Sequence, residues 1–321
     1  MDIEKYRKTF ENYLRSFRIP KTPANLYEPA RYILSSGGKR LRPTLTLIAT
    51  EGYGKPLLDA LPAATALEIF HNFTLLHDDI MDHASLRRGQ PTVHKKWNEN
   101  IAILSGDVMI FMAQQLLEVY SDRQYKSLQT LLNHTAIQVC EGQQLDMDFE
   151  NRIEVSAEEY LEMIKKKTAV LLGTSLQYGA IIAEKNPKEQ KVLYEAGIHL
   201  GIAFQIADDY LDTFGDSKFG KETGGDIREG KKTYLYIKAL DKMKIPDRKE
   251  FVELYTKKEK TSGDINEIID LLRENNIPLQ AKKIITDKTR SFIHLINSSG
   301  LDTFHKRLLI HLAEQLSERT I

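Results

Sequence analysis

Two aspartate-rich segments contain the side chains in this sequence that are the best candidates for a chemical role. DDIMD spans Asp78–Asp82 and DDYLD spans Asp208–Asp212, and each stands at the C-terminal end of an apolar stretch with helical spacing. Residues four apart on a helix are neighbours with Cβ atoms about 6 Å apart, so the first and last carboxylates of each motif face the same way. Such like charges destabilise a helix unless a cation neutralises them. A hard divalent cation is therefore predicted, with Mg²⁺ preferred because it combines carboxylate, phosphate and water oxygens.

A glycine-containing basic segment, GGKRLRP at Gly37–Pro43, is a candidate anion site. Lys39 and Arg42 lie beside two flexible glycines, so backbone N–H groups and two cationic side chains could converge on a phosphate. The segment lacks the spacing of a nucleotide-binding P-loop. In isolation it could equally be a charged helix start, and only the motifs elsewhere in the chain favour the phosphate interpretation.

Each aspartate motif is followed by its own basic residues. Arg87 and Arg88 come shortly after the first motif, and Lys221 and Lys231 follow the second. The whole chain has 45 Lys and Arg against 45 Asp and Glu, so no general attraction to nucleic acid or anionic lipid is expected. Local basic residues beside acidic motifs in a neutral chain favour a site for metal plus anion over a nucleic-acid surface.

Four further polar residues are placed to contribute to the same chemistry. His71 lies two helical turns before the first motif on the same face, and Gln205 lies three residues before the second. Lys167 and Thr168 stand at the head of an apolar helix, where a buried ammonium group needs an anionic partner. His71 and Gln205 could instead be core polar residues with internal hydrogen bonds. Their alignment with the aspartates favours contact with phosphate.

The elements that must position these residues are helices. Apolar residues recur at helical spacing, without a competing alternating strand, in Ala63–Leu76, Ile101–Tyr120, Tyr125–Gln144, Ala157–Ile182 and Lys191–Tyr210. The stretch Gly197–Asp212 is apolar on nearly all sides, which is typical of a helix inside a bundle. Because there is no internal repeat and no Gly/Ser linker, the sequence predicts one all-helical domain over residues 1–321, with peripheral helices from about residue 262.

Composition limits the environment of the chain. Its 321 residues are 41% hydrophobic, which is ample for a core, and the single cysteine, Cys140, excludes an internal disulfide. The N-terminal segment is charged throughout and lacks a secretory signal pattern. The best membrane candidate, Thr168–Ala183, is only sixteen residues long and is interrupted by Gln177, so we interpret it as a buried helix. A cytoplasmic protein without a transmembrane segment is the expectation.

The order of these motifs resembles the trans-isoprenyl diphosphate synthases, the polyprenyl synthetase family. The matching segments run from Gly37 to Thr233 as GGKRLRP, HDDIMD, RRGQPTVH, KKT, FQIADDYLD and GKKT. An ordered set of this kind is highly specific. The resemblance implies an all-α multi-helix bundle with a central active-site cavity, and a homodimer as the usual assembly.

The resemblance also implies roles for individual residues. Magnesium, as three ions per site, would be bound by Asp78, Asp79, Asp82, Asp208 and Asp212. Isopentenyl diphosphate would be held by Lys39, Arg42, His71 and Arg88. The allylic diphosphate and the departing pyrophosphate would be held by Arg87, Lys167, Thr168, Gln205, Lys221 and Lys231. The residues expected to act in catalysis are Asp78, Asp82, Arg87, Lys167, Asp208 and Lys221.

The reaction implied by the resemblance is a condensation. Magnesium and cationic side chains stabilise pyrophosphate as it leaves an allylic diphosphate, which is the dimethylallyl, geranyl or farnesyl ester. The double bond of isopentenyl diphosphate then attacks the allylic cation, a proton is lost, and apolar walls exclude water. A class I terpene cyclase and a non-catalytic subunit that modulates a synthase share part of the pattern. The complete second motif and the retained basic residues argue against both.

Residues one or two turns before the first motif predict the product length. In the family, the growing chain runs beside this helix. Phe73 and Phe70 stand five and eight residues before Asp78, and the small Thr74 stands four before it. An aromatic at the fifth position, without an insertion in the motif, resembles the short-chain geranylgeranyl type. We expect geranylgeranyl diphosphate (C20), with farnesyl diphosphate (C15) as the alternative; both aromatics could also be ordinary core residues.

Overall fold

The protein is helical through most of the chain that the structure, a computed structural model, describes, namely residues 3–215 and 223–318. The α-helices are α1 (Ile3–Ser16), α2 (Ala24–Ser35), α3 (Leu41–Gly52), α4 (Leu61–Met81), α5 (Val93–Lys96), α6 (Glu99–Gln115), α7 (Asp122–Glu150), α8 (Ala157–Ile164), α9 (Val170–Ile182), α10 (Pro187–Phe214), α11 (Gly225–Glu229), α12 (Tyr234–Lys242), α13 (Ile245–Tyr255), α14 (Ser262–Glu274), α15 (Ile277–Ser298) and α16 (Thr303–Glu318). Short 3₁₀ turns cover Leu57–Ala60 and Leu116–Val119, and a π-helical turn covers Lys165–Ala169. The predicted all-α fold is confirmed.

One small hairpin interrupts the helices in the part of the chain that is described. Strand β1 (Leu86–Arg87) pairs antiparallel with β2 (Gln90–Pro91). The connecting residues Arg88 and Gly89 have φ angles of +53° and +76°, and positive φ at both central positions is what a tight type I′ turn requires. So short a segment has no periodicity that sequence analysis could use. The hairpin places Arg87 and Arg88 directly after the helix that bears the first motif.

Contacts between residues group the chain into two compact units. Unit 1 comprises Met1–Asn133, Ser175–Lys191 and Gly300–Leu308, and unit 2 comprises His134–Thr174, Val192–Ser299 and Leu309–Ile321. The first aspartate motif belongs to unit 1 and the second to unit 2. The single domain over residues 1–321 stays a prediction.

Helix α4 carries the first motif within unit 1. Pro62 lies in its first turn, where the missing N–H costs nothing because that donor has no acceptor within the helix. The helix packs against α3 and α6. Its buried apolar residues occupy several faces and include Ala63, Ala66, Leu67, Ile69, Phe70 and Leu76. An interior helix of this kind holds the aspartates at its C-terminal end in a fixed position.

Helix α10 carries the second motif, and its middle part packs very closely within unit 2. A Cβ added at Gly197 would lie 2.5 Å from the Cα of Gly173, and one added at Gly201 would lie 2.4 Å from the Cα of Ala169. Only glycine lets the backbones approach to this distance. Ile206 and Ala207 follow as fully buried residues. The prediction that this apolar stretch is an interior helix is confirmed.

Helix α6 presents an apolar face to solvent. The segment Glu99–Val119 is long and apolar enough to cross a membrane, with a mean hydropathy of 1.3, but this criterion rests on length and composition alone. Only a third of the segment is buried, and Ile103, Leu104 and Phe111 are 45%, 58% and 66% exposed. By contrast α9, which covers most of the predicted buried helix Thr168–Ala183, is enclosed along its length.

Candidate functional site

The three aspartates of the first motif differ in their exposure. Asp79 is only 2% exposed, whereas Asp78 is half-buried and Asp82 is exposed. Asp82 caps the end of α4, and its backbone N–H donates to the carbonyl oxygen of Asp78 at 2.8 Å. The first and last carboxylates are therefore one helical turn apart near the surface of unit 1, as the spacing predicted.

The buried Asp79 is bound by Arg87 of the hairpin. Arg87 Nε donates to Asp79 Oδ1 at 2.7 Å. Burial raises the pKa of Asp79 to about 6, although the guanidinium of Arg87 opposes the shift. A magnesium-binding role for Asp79 and a phosphate-binding role for Arg87 stay predictions. In this structure the two side chains bind each other.

The glycine-containing basic segment forms a tight loop under Arg88. Gly37 and Gly38 have φ angles of +80° and +135°, a region that side chains disfavour. Arg88 Nη1 donates to the carbonyl oxygen of Gly37 and to Ser36 Oγ, the latter at 3.2 Å. A Cβ on Gly38 would lie 2.9 Å from Arg88 Nη2. The missing side chain of Gly38 therefore lets the guanidinium lie directly on the loop backbone.

Arg42 and His71 meet beside this loop. Arg42 Nη1 lies 3.1 Å from His71 Nε2. Burial, reinforced by the charges of Arg42 and Arg88, holds the pKa of His71 well below its ordinary value. His71 is therefore neutral near pH 7, and its Nε2 accepts a hydrogen bond that Arg42 Nη1 donates. Two of the residues predicted to hold isopentenyl diphosphate are thus in direct contact, and the exposed Lys39 lies on the loop next to them.

A buried ion pair supports the same loop from within. Arg40 Nη1 donates to Glu68 Oε1 of α4 at 2.5 Å, and the two side chains are 4% and 3% exposed. Arg40 Nη2 donates to the carbonyl oxygen of Leu34 at 2.7 Å, and Asn72 Nδ2 donates to Glu68 Oε1 at 3.2 Å. Sequence analysis did not single out Arg40 or Glu68. The only available signal was an additional arginine in GGKRLRP.

The second motif repeats the arrangement of the first within unit 2. Its middle residue, Asp209, is 4% exposed, while Asp208 and Asp212 are half-buried. Tyr160 donates to Asp209 Oδ2, and Gln205 Nε2 donates to Oδ1 at 3.1 Å. Burial raises the pKa of Asp209 to about 6, against the effect of these two hydrogen bonds. The middle aspartate is an anchor here too.

Gln205 and Thr168 extend this network. Thr168 Oγ1 donates to Gln205 Oε1 at 2.9 Å. The alternative for Gln205, a core polar residue with internal hydrogen bonds, therefore describes part of its environment. The phosphate contact of Gln205 and Thr168 stays a prediction. Tyr160, which donates to the same aspartate, was not identified by sequence analysis.

Lys167 lies in the π-helical turn Lys165–Ala169. Its Nζ lies 2.6 Å from Asp146 Oδ2 of α7, which supplies the anionic partner that its position requires. A Cβ on Gly142 of α7 would lie 2.3 Å from the backbone nitrogen of Lys167, so the wider turn fits closely against α7. Such π turns inside helices occur frequently at functional sites.

A fourth acidic residue joins the second motif. The backbone N–H of Asp226 donates to Asp212 Oδ2 at 2.8 Å. Burial raises the pKa of Asp226 to about 8, Asp209 and Asp212 add to this shift, and Lys231 opposes it. Sequence analysis missed Asp226, although it stands shortly before the GKKT segment.

Of the two lysines that follow the second motif, Lys231 lies within the described residues. Lys231 Nζ forms an ion pair with Glu229 at 2.9 Å. Lys221 lies outside the described residues. The roles assigned to both, contact with the allylic diphosphate or the departing pyrophosphate, stay predictions.

The residues predicted to set product length form an aromatic row on α4. The rings of Phe70 and Phe73 have centroids 5.5 Å apart, and the two residues are 1% and 9% exposed. Thr74 Oγ1 donates to the carbonyl oxygen of His71 at 2.8 Å. The row begins at Phe70, about two turns before the first motif, and ends at Phe73, five residues before Asp78.

The donor atoms present suit magnesium that is shared with a substrate. Within residues 3–215 and 223–318, no group of three or more His, Cys, Asp or Glu side chains is close enough to hold a metal alone. Mg²⁺ usually binds one or two carboxylates and completes its octahedron with phosphate and water oxygens. The pair Asp78 and Asp82 matches that requirement because Asp79 is held inside by Arg87.

Comparisons with known proteins agree with this arrangement. The family model described as polyprenyl synthetase matches residues 23–272. A short chain isoprenyl diphosphate synthase of Methanothermobacter thermautotrophicus is 39% identical over 296 residues, which is 90% of each chain. A crystal structure of a geranylgeranyl pyrophosphate synthase is 46% identical, has a TM-score of 0.95 and covers 99% of both chains. The geranylgeranyl pyrophosphate synthase of Corynebacterium glutamicum, complexed with isoprenyl diphosphate and magnesium, is 28% identical, with a TM-score of 0.88 over 99% of this chain and 100% of that one.

An all-helical fold with two complete aspartate motifs and basic loops defines the class of isoprenyl diphosphate synthases, which are prenyltransferases. The chain belongs to the polyprenyl synthetase family. Membership implies isopentenyl and allylic diphosphate substrates and the use of a divalent metal. The similarities do not support the terpene cyclase or the modulatory subunit.

Proposed function

We propose that this enzyme condenses isopentenyl diphosphate with an allylic diphosphate to give geranylgeranyl diphosphate and pyrophosphate, using Mg²⁺ at both aspartate motifs. One observation carries the proposal. In each motif the middle aspartate is buried and accepts a hydrogen bond, Asp79 from Arg87 and Asp209 from Tyr160. The outer two aspartates lie nearer the solvent. Carboxylates at this spacing suit cations that bridge to diphosphate oxygens. Three ions per site is the number we propose.

The basic loop of unit 1 binds isopentenyl diphosphate in this proposal. Arg88 lies on the backbone of Gly37, and Arg42 donates to a neutral His71. Several cationic groups beside one loop suit a diphosphate, which they bind by charge-assisted hydrogen bonds. Lys39, exposed on the same loop, adds a further cation. These residues orient the homoallylic substrate and do not take part in bond cleavage.

The residues of unit 2 serve the allylic diphosphate. Lys167, Thr168, Gln205, Lys221 and Lys231 are proposed to bind its oxygens. Magnesium held by the outer carboxylates of the two motifs would supply positive charge to the pyrophosphate as it leaves. The lysines add fixed positive charge to the same oxygens. Apolar side chains must keep water from the allylic cation, and the departing pyrophosphate is the proposed acceptor of the final proton.

Product length follows from the aromatic row on α4. Phe73, five residues before Asp78, is proposed to form the floor that stops the growing chain, with Phe70 below it and Thr74 leaving space beside it. The resemblance to geranylgeranyl synthases, including the structure with 46% identity, favours C20. Farnesyl diphosphate is the second candidate, because Phe70 could shorten the space.

The exposed apolar face of α6 is proposed to be the contact surface of a homodimer in the cytoplasm. Ile103, Leu104 and Phe111 would expose three large apolar side chains of one helix in a monomer, and exposed apolar patches mark protein or membrane contacts. A second copy of the chain would cover these side chains without requiring any additional partner.

Product analysis tests the proposed function. Purified protein is incubated with Mg²⁺, isopentenyl diphosphate and each of the three allylic primers, and products are sized after removal of the phosphates. We expect C20 chains and one pyrophosphate per condensation, with no product when EDTA is present. Hydrocarbon formed without isopentenyl diphosphate would indicate a cyclase. If no pyrophosphate is released with any primer, the proposed prenyltransferase activity is contradicted.

A further inference from the structure

A glycine of α6 accepts a histidine of α4 within unit 1. The ring of His77, the residue directly before the first motif, lies against Gly106. A Cβ on Gly106 would stand 2.2 Å from His77 Nε2 and 2.6 Å from Cδ2. Interiors are packed too closely to absorb such an overlap, so any side chain at position 106 must displace the ring. Gly106 therefore forms a notch in α6 that is filled by His77.

A hydrogen bond fixes His77 in this notch. Its Nε2 lies 3.1 Å from the carbonyl oxygen of Ile103. Because a carbonyl only accepts, Nε2 carries the proton and donates it. Asp107 Oδ1 stands 4.0 Å from the same nitrogen, and the His77 side chain remains 21% exposed. The orientation of this ring is thus set by α6, although the residue belongs to α4.

The fixed ring contacts the proposed chain-length residue. His77 and Phe73 are four residues apart, and their ring centroids are separated by 4.8 Å with an interplanar angle of 73°. This edge-to-face geometry is favourable for aromatic pairs. On its other side Phe73 contacts Phe70. The notch in α6 is consequently linked to Phe73 through a single ring.

We propose that Gly106, acting through His77, fixes the position of the Phe73 ring and thereby sets the length at which chain growth stops. The inference rests on the proposed function, in which Phe73 forms the floor. Gly106 and His77 are positioning residues here, since neither needs to touch the substrate. A side chain at position 106 drives His77 toward the solvent that it already reaches. Phe73 then turns into the vacated space, and longer chains fit.

Two substitutions test this link from its two ends. Gly106→Ala adds the obstructing Cβ, and His77→Ala removes the ring without adding anything at position 106. In both variants the ratio of longer products to the wild-type product should rise about twofold to tenfold, the range expected for loss of one edge-to-face aromatic contact. The double variant should show no more than the larger single effect, because Gly106 acts only through His77.

A matched control places a Cβ against another histidine. Gly52→Ala would put its Cβ 2.8 Å from the Cβ of His305, also in unit 1. It should lower thermal stability and leave the product ratio unchanged. If it shifts the ratio as much as Gly106→Ala does, the effect is one of general loosening and the proposal is overturned.

The outcomes separate this inference from the proposed function. If Phe73→Ala lengthens the product while both His77→Ala and Gly106→Ala retain the wild-type ratio, the link fails and the proposed floor stands. Additive effects in the double variant would overturn the route through His77. An unchanged product in Phe73→Ala overturns the floor and the link together. Should Gly106→Ala not fold, His77→Ala decides alone, since it creates no overlap.

Discussion

Arg87 Nε lies 2.7 Å from Asp79 Oδ1, and it holds that carboxylate inside unit 1 at 2% exposure. Asp209 is enclosed in the same manner within unit 2, where Tyr160 and Gln205 donate to its two oxygens. In both motifs the middle residue fastens the end of a helix. The outer carboxylates, one turn apart, thereby receive a rigid base, which lowers the cost of ordering them around a cation.

The outer aspartates and the buried middle aspartate of each motif should respond differently to substitution. Asp78→Ala removes a partly exposed carboxylate from a pair of like charges, so we expect turnover to fall by about 100-fold or more and thermal stability to stay unchanged or rise. Asp79→Ala removes the partner of Arg87 in a buried contact and should cost about 1–3 kcal/mol of unfolding free energy. Turnover and urea unfolding of both variants provide the measurement.

Asp208→Ala and Asp209→Ala should repeat this contrast in unit 2. The exposed Asp270, whose side chain is 64% exposed, is the control, since Asp270→Ala should affect neither quantity. Full turnover in both Asp78→Ala and Asp208→Ala would remove the argument for a metal site.

Truncation of Phe73 should lengthen the product. Phe73→Ala removes a nearly buried ring from the end of the proposed cavity, so chains one or more five-carbon units longer than the wild-type product should appear. Chromatographic sizing of the dephosphorylated products gives the measurement. Phe10→Ala, which truncates a fully buried ring in α1, is the control and should destabilise the protein without a change in length. A wild-type product from Phe73→Ala would place the floor elsewhere.

Sequence analysis could predict what depends on local spacing. Helical periodicity gave α4 and α10, and the i, i+4 spacing gave the paired outer carboxylates of each motif. The burial of Asp79 and Asp209 could not be predicted, because it depends on partners that the fold brings in from other elements. Arg87 is brought to Asp79 by a hairpin whose strands are only two residues long. Tyr160 is 49 residues away from Asp209 in the sequence.

The supports of the basic loop were hidden for a similar reason. Lys39 and Arg42 are recognisable as candidate anion-binding residues from the glycines beside them. Arg40 lies in the same segment and looks the same in the sequence, but its side chain points into the protein. Its guanidinium points to a glutamate 28 residues away and is buried. The π turn at Lys165–Ala169 likewise depends on the close approach of α7 at Gly142. Neither feature has a periodicity that a sequence can display.

Removing one member of the buried ion pair between Arg40 and Glu68 should cost more stability than removing both. Glu68→Leu leaves a buried guanidinium without its carboxylate and should cost about 3–5 kcal/mol of unfolding free energy. The double variant Arg40→Met/Glu68→Leu leaves neither charge and should be more stable than Glu68→Leu. Urea unfolding of the single and double variants gives these values. Additive losses would contradict the buried pair.

The exposed face of α6 should control the assembly state. Leu104→Glu combined with Phe111→Glu places charges on the proposed homodimer contact and should raise the dimer dissociation constant by about 30-fold or more. Sedimentation velocity over a range of concentrations measures the change. Phe304→Glu, at a residue 54% exposed on α16, is the control. A monomeric wild-type protein would refute the homodimer, and recruitment of that protein to vesicles would assign the face to a membrane.

A cluster in unit 1 should make stability depend on acidic pH. His305 Nδ1 donates to Asp302 Oδ2 at 2.6 Å, and its Nε2 lies 2.9 Å from Tyr6 Oη and 3.2 Å from Glu51 Oε2. Burial raises the pKa of Glu51, but hydrogen bonds from Tyr6, His305 and Lys5 outweigh it, so the pKa lies below its usual 4.5. The pKa of Asp302 lies below 3.8 because hydrogen bonds from His305 outweigh burial.

A lowered pKa in the folded state means that the unfolded chain takes up protons first as the pH falls. The stabilisation from Glu51 and Asp302 is therefore complete above about pH 5 and is lost progressively below it. His305→Ala removes a partner of both carboxylates, so it should lower the unfolding free energy by about 1–3 kcal/mol at pH 7 and flatten its decline toward pH 3. Urea unfolding at a series of pH values measures both effects. As a control, His294→Ala, at an exposed residue of α15, should reproduce the wild-type dependence of unfolding free energy on pH. If the His305→Ala dependence runs parallel to that of the wild type, the cluster does not couple folding to the protonation of Glu51 and Asp302.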